Sequence, residues 1–364
     1  MKRIAIFLGH PAQFHMFKYV TAYLEQQGIE VDYLVKRKDI LEELVRNSGR
    51  NYYIVRKKER SSKGKLRLIL ALLGMELKVI VYIIRRRPSL LVGTYAPVIS
   101  HLTGTRMIIC CEDDTAVVPR FAKTSYPYAD AILSPMYCDG GKWDLKMTKY
   151  YGFQKLAYLH PNWFTPDSTI LSKYNLPERF VLIRLARLSA HHDAGIKGLN
   201  LDLVQNMIST AKQYGYNVYI TSEANLDPSL QPYKLDIDYQ DIHHILAFAG
   251  LLVSDSQSMS VEASMLGVPS VRFSDFAGRI SVLEVLEQKY QLTFGVPTDN
   301  PEQLLEKVNS LLSDTTLDET FHKNREKMLN DHIDVTAFFS WFIENYPESR
   351  KTMKENPDYQ WRFR

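Results

Sequence analysis

Cysteine is scarce in this chain of 364 residues: there are three, Cys110, Cys111 and Cys138. Three thiols give no disulfide framework and no paired metal-ligand spacing, so a reduced, intracellular setting is expected. Excess charge is also lacking, since a formal net charge of +4 is too small to argue for a nucleic-acid partner. No secretory signal is expected either. Lys2-Arg3 followed by Ile4-Ala5-Ile6-Phe7-Leu8 is basic then apolar, but the run ends at Gly9-His10-Pro11 and suits a first buried strand. No short-period repeat or low-complexity tract occurs. An apolar content of 45% against 24% charged residues excludes a disordered chain and leaves enough apolar material for two cores.

A long uninterrupted apolar run is missing too. The most apolar stretch, 66–84, is broken by Arg67, Glu76 and Lys78, and the unbroken part, 68–75, is too short to cross a bilayer. It lies in a basic region, residues 63–87, with Lys63 and Lys65 near its start and Arg85, Arg86 and Arg87 at its end. One reading is a long, largely buried helix whose basic end complements its dipole. The other is a helix with one face on an anionic membrane surface.

Strand-like runs at 4–8, 31–35, 52–55, 90–92, 107–110 and 131–133 alternate with helical patterns. The segment 149–167, aromatic and holding Gly152, Pro161 and Pro166, interrupts this rhythm and reads as a crossing. The alternation then restarts at 180–185, 217–221, 251–253 and 270–273. Such alternation predicts an α/β fold of two Rossmann-like, doubly wound parallel-sheet domains facing a cleft. The expected divisions are 1–155, 156–335 and a helical tail, 336–364, packing back on the first domain.

Ligands of such sheets bind beyond the carboxyl ends of the strands. Four places there carry chemistry. At Val253-Ser254-Asp255-Ser256-Gln257-Ser258-Met259-Ser260-Val261-Glu262 a strand passes through a small polar turn into a helix. Helix N-termini hold phosphates through unpaired N–H groups, although Ser and Asp are also ordinary caps. At Leu8-Gly9-His10-Pro11-Ala12-Gln13-Phe14-His15 a glycine turn brings His10, and less directly His15, to the first sheet's edge. Histidine there can shuttle a proton or merely cap the helix. Arg184 and Arg187 end another strand, where arginine grips a pyrophosphate. The neighbouring Ser189, His191, His192 and Asp193 form too weak a cluster to predict a metal, and none is expected. Glu112-Asp113-Asp114 could supply a general base or cap the next helix. Ser222 and Glu223, after Thr221, suit a nucleobase or sugar, or a solvated loop.

These residues resemble a known family. Gly9-His10-Pro11-Ala12 with His15-Met16-Phe17-Lys18 resembles the opening of domain-of-unknown-function family 354. The resemblance continues through Tyr158-Leu159-His160-Pro161-Asn162-Trp163-Phe164-Thr165-Pro166-Asp167, His192-Asp193-Ala194-Gly195, Ser222-Glu223-Ala224 and the stretch from Ile242 to Arg272, so nearly the whole chain is covered. More distantly the family is similar to glycosyltransferases of the GT-B fold and to non-hydrolysing UDP-N-acetylglucosamine 2-epimerases. The resemblance implies two Rossmann-like domains and a nucleotide-sugar, UDP-linked, used as substrate with no further cofactor. By motif, Ser256, Gln257, Ser258 and Met259 would face the diphosphate and Glu262 the ribose. His10 and His15 would face the sugar or acceptor.

The epimerases tend to carry Ser-Gly-Gly in the phosphate loop. Ser254-Asp255-Ser256 stands here, without the close backbone approach that glycine allows. The resemblance therefore implies first a metal-independent glycosyltransferase in surface polysaccharide or cell-envelope assembly, cytoplasmic or at the inner membrane face, with a glycan or lipid-linked acceptor. A UDP-sugar epimerase and a non-catalytic sugar-nucleotide-binding protein are the alternatives.

Overall fold

The computed structural model describes residues 2–38, 40–56, 65–185, 198–222 and 225–364, with 65–68 as backbone alone. Among these residues twelve strands form two sheets, and every pairing within them is parallel. The first sheet contains β1 (Arg3–Leu8), β2 (Glu30–Lys36), β3 (Tyr52–Arg56), β4 (Leu90–Gly93), β5 (Arg106–Cys110), β6 (Ala131–Pro135) and β7 (Met147–Tyr150). The second contains β8 (Phe180–Leu185), β9 (Asn217–Ser222), β10 (Leu251–Ser254), β11 (Ser270–Phe273) and β12 (Phe294–Val296). Central strands are buried along nearly their whole length, β4 and β10 entirely. This is why they read as continuous apolar runs rather than alternating ones: helices cover both faces of a parallel sheet.

The chain divides into two compact units, Met1–Tyr158 with His332–Arg364, and Leu159–Asp331. The first sheet runs β3-β2-β1-β4-β5-β6-β7 and the second β12-β11-β10-β8-β9. Each is a doubly wound order with one place where the winding reverses, between β1 and β4 in the first and between β8 and β10 in the second. The predicted pair of parallel α/β sheets is thus observed. Close approach at the first reversal depends on Gly93. Its φ is +156°, and a Cβ there would lie 2.5 Å from the Phe7 carbonyl oxygen. In the first unit the helix Val335–Glu344 buries Phe338, Phe339 and Phe342 and packs against the helix Pro11–Gln26.

Two elements differ from the sequence reading. β7 occupies Met147–Tyr150, at the start of the expected crossing; its residues alternate half-buried and buried, as an edge strand's do. The helix Lys65–Arg86 is not largely buried. Met75, Val79, Tyr82 and Ile83 face the core, yet six other large apolar side chains on it are exposed. Among the described residues no helix is long and apolar enough to cross a membrane.

Candidate functional site

In the second unit, β10 runs into the helix Gln257–Leu266 through Asp255 and Ser256. Ser256 is the N-cap: it is extended, and its Oγ accepts from the Met259 N–H at 3.4 Å. The Ser256 N–H donates to Ser254 Oγ at 2.8 Å, which holds the turn tight. The first N–H groups of a helix lack intrahelical acceptors. With Met259 capped, those of Gln257 and Ser258 are left pointing along the axis at the positive end of the dipole. Gly267 closes the helix in the left-handed conformation, φ +77°.

This helix start lies at the winding reversal. Ser254 pairs in register with Arg184 of β8, and Arg184 with Thr221 of β9, so these three form one row near the strand ends, and Ser222 lies one residue beyond, paired with Leu185. Arg184 and Ser222 are both half-buried. Arg187, Glu223 and the cluster Ser189, His191, His192 and Asp193 lie outside the described residues.

The side chains of the expected nucleotide site divide between outward and inward. Ser258 is half-buried, whereas Met259 is buried. Gln257 turns inward, its Nε2 donating to Ser274 Oγ at 2.6 Å, so its backbone N–H rather than its amide serves the helix end. Glu262 is 6% exposed, and His243 Nε2 lies 3.4 Å from its Oε1. A ribose contact by Glu262 would share the carboxylate with His243.

Sequence reasoning passed over His243, and also Arg272 on β11. Arg272 is fully buried, and its Nε, Nη1 and Nη2 have no hydrogen-bond partner among the described residues. Burial pushes its pKa down, while Glu287 and Glu284 oppose that shift. It pairs in register with Ser254 and lies against Gly295, where a Cβ would come within 2.7 Å of Nη2. It adds positive potential one strand from the helix start. Its signal in the sequence is a lone charge inside the apolar run Ser270-Val271-Arg272-Phe273.

In the first unit His10 is the N-cap of the helix Pro11–Gln26. Its Nδ1 accepts from the Ala12 N–H at 3.3 Å, and Gln13 Oε1 accepts from the Gly9 and His10 N–H groups at 2.6 and 3.2 Å. An imidazole whose Nδ1 lone pair is so used carries its neutral-state proton on Nε2. His10 Nδ1 thus serves the start of the helix. His15 is buried on the inner face of the same helix, beside the rings of Phe14 and Tyr158. One turn on, burial lowers the pKa of Lys18 to about 8.

The three carboxylates after β5 have different surroundings. Glu112 accepts from the Gln154 N–H at 2.9 Å and forms a short ion pair with Lys155. Asp114 is buried, and its Oδ1 accepts from the Asp139 N–H at 2.7 Å. Asp113 is half-buried, and its carboxylate meets only the Cys111 thiol, at 4.0 Å, among the described residues. Burial pushes the Asp113 pKa up and the Glu112 charge adds to this, while Lys155 opposes it. Of the three, Asp113 has the environment of a proton acceptor. β1 and β5 are separated by β4 alone, so His10 and Asp113 leave the same sheet edge about 10 Å apart by strand spacing.

No protein-family model matches the chain, and no curated protein matches it. The likeness to family 354 is therefore not supported by a family model. Solved structures do match. One is a UDP-N-acetylglucosamine 2-epimerase, described as putative, from Listeria monocytogenes, with 13% identity, TM-score 0.67, and 95% of this chain and 97% of that chain covered. Another is S. aureus MnaA with UDP, with 13% identity, TM-score 0.64, and 96% and 98% covered. A third is the glycosyltransferase of kitacinnamycin, with 14% identity, TM-score 0.60, and 94% and 98% covered. At these identities the likeness establishes the fold, which epimerases and glycosyltransferases share.

Proposed function

We propose that this chain is an enzyme acting on a nucleoside-diphosphate sugar, UDP-linked, and that it transfers the sugar as a glycosyltransferase without a metal ion. The observation carrying the nucleotide is the helix start at Ser256–Met259, set at a winding reversal just after Ser254, which pairs in register with Arg184. Two backbone N–H groups, a helix dipole and a guanidinium together suit a diphosphate. The structural neighbours support the same substrate class, since one is a UDP co-structure and others are described as UDP-N-acetylglucosamine 2-epimerases.

In this reading a base takes the proton of an acceptor hydroxyl, a role that Asp113 suits by its raised pKa, and the oxygen forms a bond to the anomeric carbon. The bond from that carbon to the diphosphate breaks, and its electron pair leaves with the nucleoside diphosphate. The charge that develops there is met by Arg184 and the N–H groups of Gln257 and Ser258. The acceptor, an envelope glycan or its lipid-linked form, rests on the family resemblance. The test is calorimetric titration of UDP and turnover of a panel of sugar nucleotides with cell-extract acceptors. Binding of UDP and its loss in Arg184→Ala are expected; no binding of any nucleoside diphosphate would overturn the reading.

A second reading draws on the epimerases among the structural neighbours. An epimerase needs no acceptor. NMR of UDP-N-acetylglucosamine with the protein alone separates the two, because a new 2-epimer signal would make the chain an epimerase.

A further inference from the structure

The described residues include eleven exposed large hydrophobic side chains, and six of them stand on one helix, Lys65–Arg86: Ile69, Leu70, Leu73, Leu77, Val81 and Ile84. At about 100° per residue these six fall within an arc of about 120°. The stripe runs for about 23 Å at 1.5 Å per residue. Met75, Val79, Tyr82 and Ile83 form a separate, inward arc on the same helix. Lys78 and Arg85, both exposed, lie just beyond the outward arc's edge.

The rotation of this helix is fixed. Tyr82 donates to the buried Asp32 at 2.8 Å, and Arg86 Nε reaches the same carboxylate at 3.2 Å. Glu76 accepts from the Tyr95 hydroxyl at 2.6 Å and from the Val98 and Ile99 N–H groups at 3.2 and 3.1 Å. Rolling the apolar stripe inward would break all of these. Contiguous exposed apolar surface of this kind marks an interaction site.

We propose that this face is a membrane-docking surface, lying in the plane of an anionic phospholipid bilayer. Charge selects the occupant. Residues 56–67 contain seven basic residues and one acidic one, Glu59, and Lys78 and Arg85 flank the stripe. A two-fold contact with a second copy would set these like charges against each other. A surface of acidic headgroups over acyl chains satisfies both the charges and the stripe. The inference does not depend on which reaction the protein catalyses.

The test is cosedimentation of the full chain with phosphatidylcholine vesicles, with and without phosphatidylglycerol. Binding is expected only with phosphatidylglycerol, and it should weaken as salt rises. K78E/R85E should weaken it about 30-fold or more, at about fivefold per basic residue. L73E/L77E should abolish it with an unchanged melting curve, since both leucines are exposed. The native cysteines are all buried, so a fluorophore on Leu73→Cys should report apolar transfer through a blue shift on adding vesicles. Absence of wild-type binding to phosphatidylglycerol vesicles overturns the proposal, as does full binding by folded L73E/L77E. A wild-type dimer that L73E/L77E makes monomeric, with no vesicle binding, would assign the face to a second copy.

Discussion

The carboxyl edges of the two sheets are built from the same topology but leave different groups for a ligand. In the second unit the edge offers backbone. Ser254 and Ser256 tie the turn together, Gln257 is drawn inward to Ser274, and the N–H groups of Gln257 and Ser258 remain. In the first unit the edge offers side chains, and most of them serve the fold. His10 Nδ1 caps a helix, Glu112 holds Gln154 and Lys155, and Asp114 holds Asp139. A backbone edge gives a fixed electrostatic field that binds an anion. A side-chain edge gives titratable groups, of which those spared by the fold can carry a reaction. In the proposed reading binding belongs to the second edge and proton transfer to the first, mainly to Asp113.

The assignment breaks most readily at Asp113. Asp113→Asn should lower turnover about 10²–10⁴-fold, the usual worth of a general base, and leave the affinity for UDP unchanged. The carboxyl must be ionised to accept a proton, and burial raises its pKa above its ordinary value. Activity should therefore fall on the acid side through that raised value, and the limb should be absent from the residual activity of the variant. Folding has the opposite dependence. A carboxyl whose folded pKa lies above its unfolded one opposes folding when ionised, so this site stabilises the fold as pH falls through the raised value. Asp113→Asn should be no less stable than wild type at neutral pH. Equal turnover in the variant would move the base elsewhere, and a pH-rate profile with urea unfolding measures both effects.

Glu112 should show the converse. Glu112→Ala removes the carboxylate that pairs with the nearly buried Lys155 and accepts from Gln154. Removing one partner of such a pair costs about 3 kcal/mol. Urea denaturation should show that loss, with UDP affinity intact. If the variant keeps its stability and loses turnover, the roles of Glu112 and Asp113 are reversed.

These distinctions were only partly legible in the sequence. Apolar runs such as Ile4-Ala5-Ile6-Phe7-Leu8 announced the buried parallel strands because both of their faces are covered. The strand-turn-helix at Ser254–Glu262 was visible because its signal is local. Which member of Glu112-Asp113-Asp114 escapes structural work was not, since that depends on Asp139, Gln154 and Lys155, brought in by the fold. His243 beside Glu262 was hidden for the same reason. The helix at 65–86 is apolar on two sides, so its pattern did not reveal which side the core would take. Arg272 was readable as an oddity, a charge within a strand, but its complete burial was not.

On the second edge the comparison sharpens through smaller effects. If Glu262 takes ribose hydroxyls, Glu262→Gln should weaken UDP binding roughly tenfold, the order expected of a hydrogen bond to a charged group. Unchanged affinity with a lower melting temperature would instead make Glu262 a structural partner of His243.

Ser256→Ala should have the smallest effect. Losing an N-cap hydroxyl costs about 1 kcal/mol, and among the described residues Ser256 Oγ makes one long bond, to the Met259 N–H at 3.4 Å. The same change uncaps that N–H at the place where the diphosphate is proposed to sit. Stability and binding should therefore part: unfolding shows the lost cap, while bound UDP accepts the released N–H and restores part of the loss. UDP should then raise the melting temperature at least as much in Ser256→Ala as in wild type. If UDP stabilises the variant less than the wild type, the Ser256 hydroxyl itself contacts the nucleotide. The second edge would then work through side chains as well, and the contrast with the first would narrow.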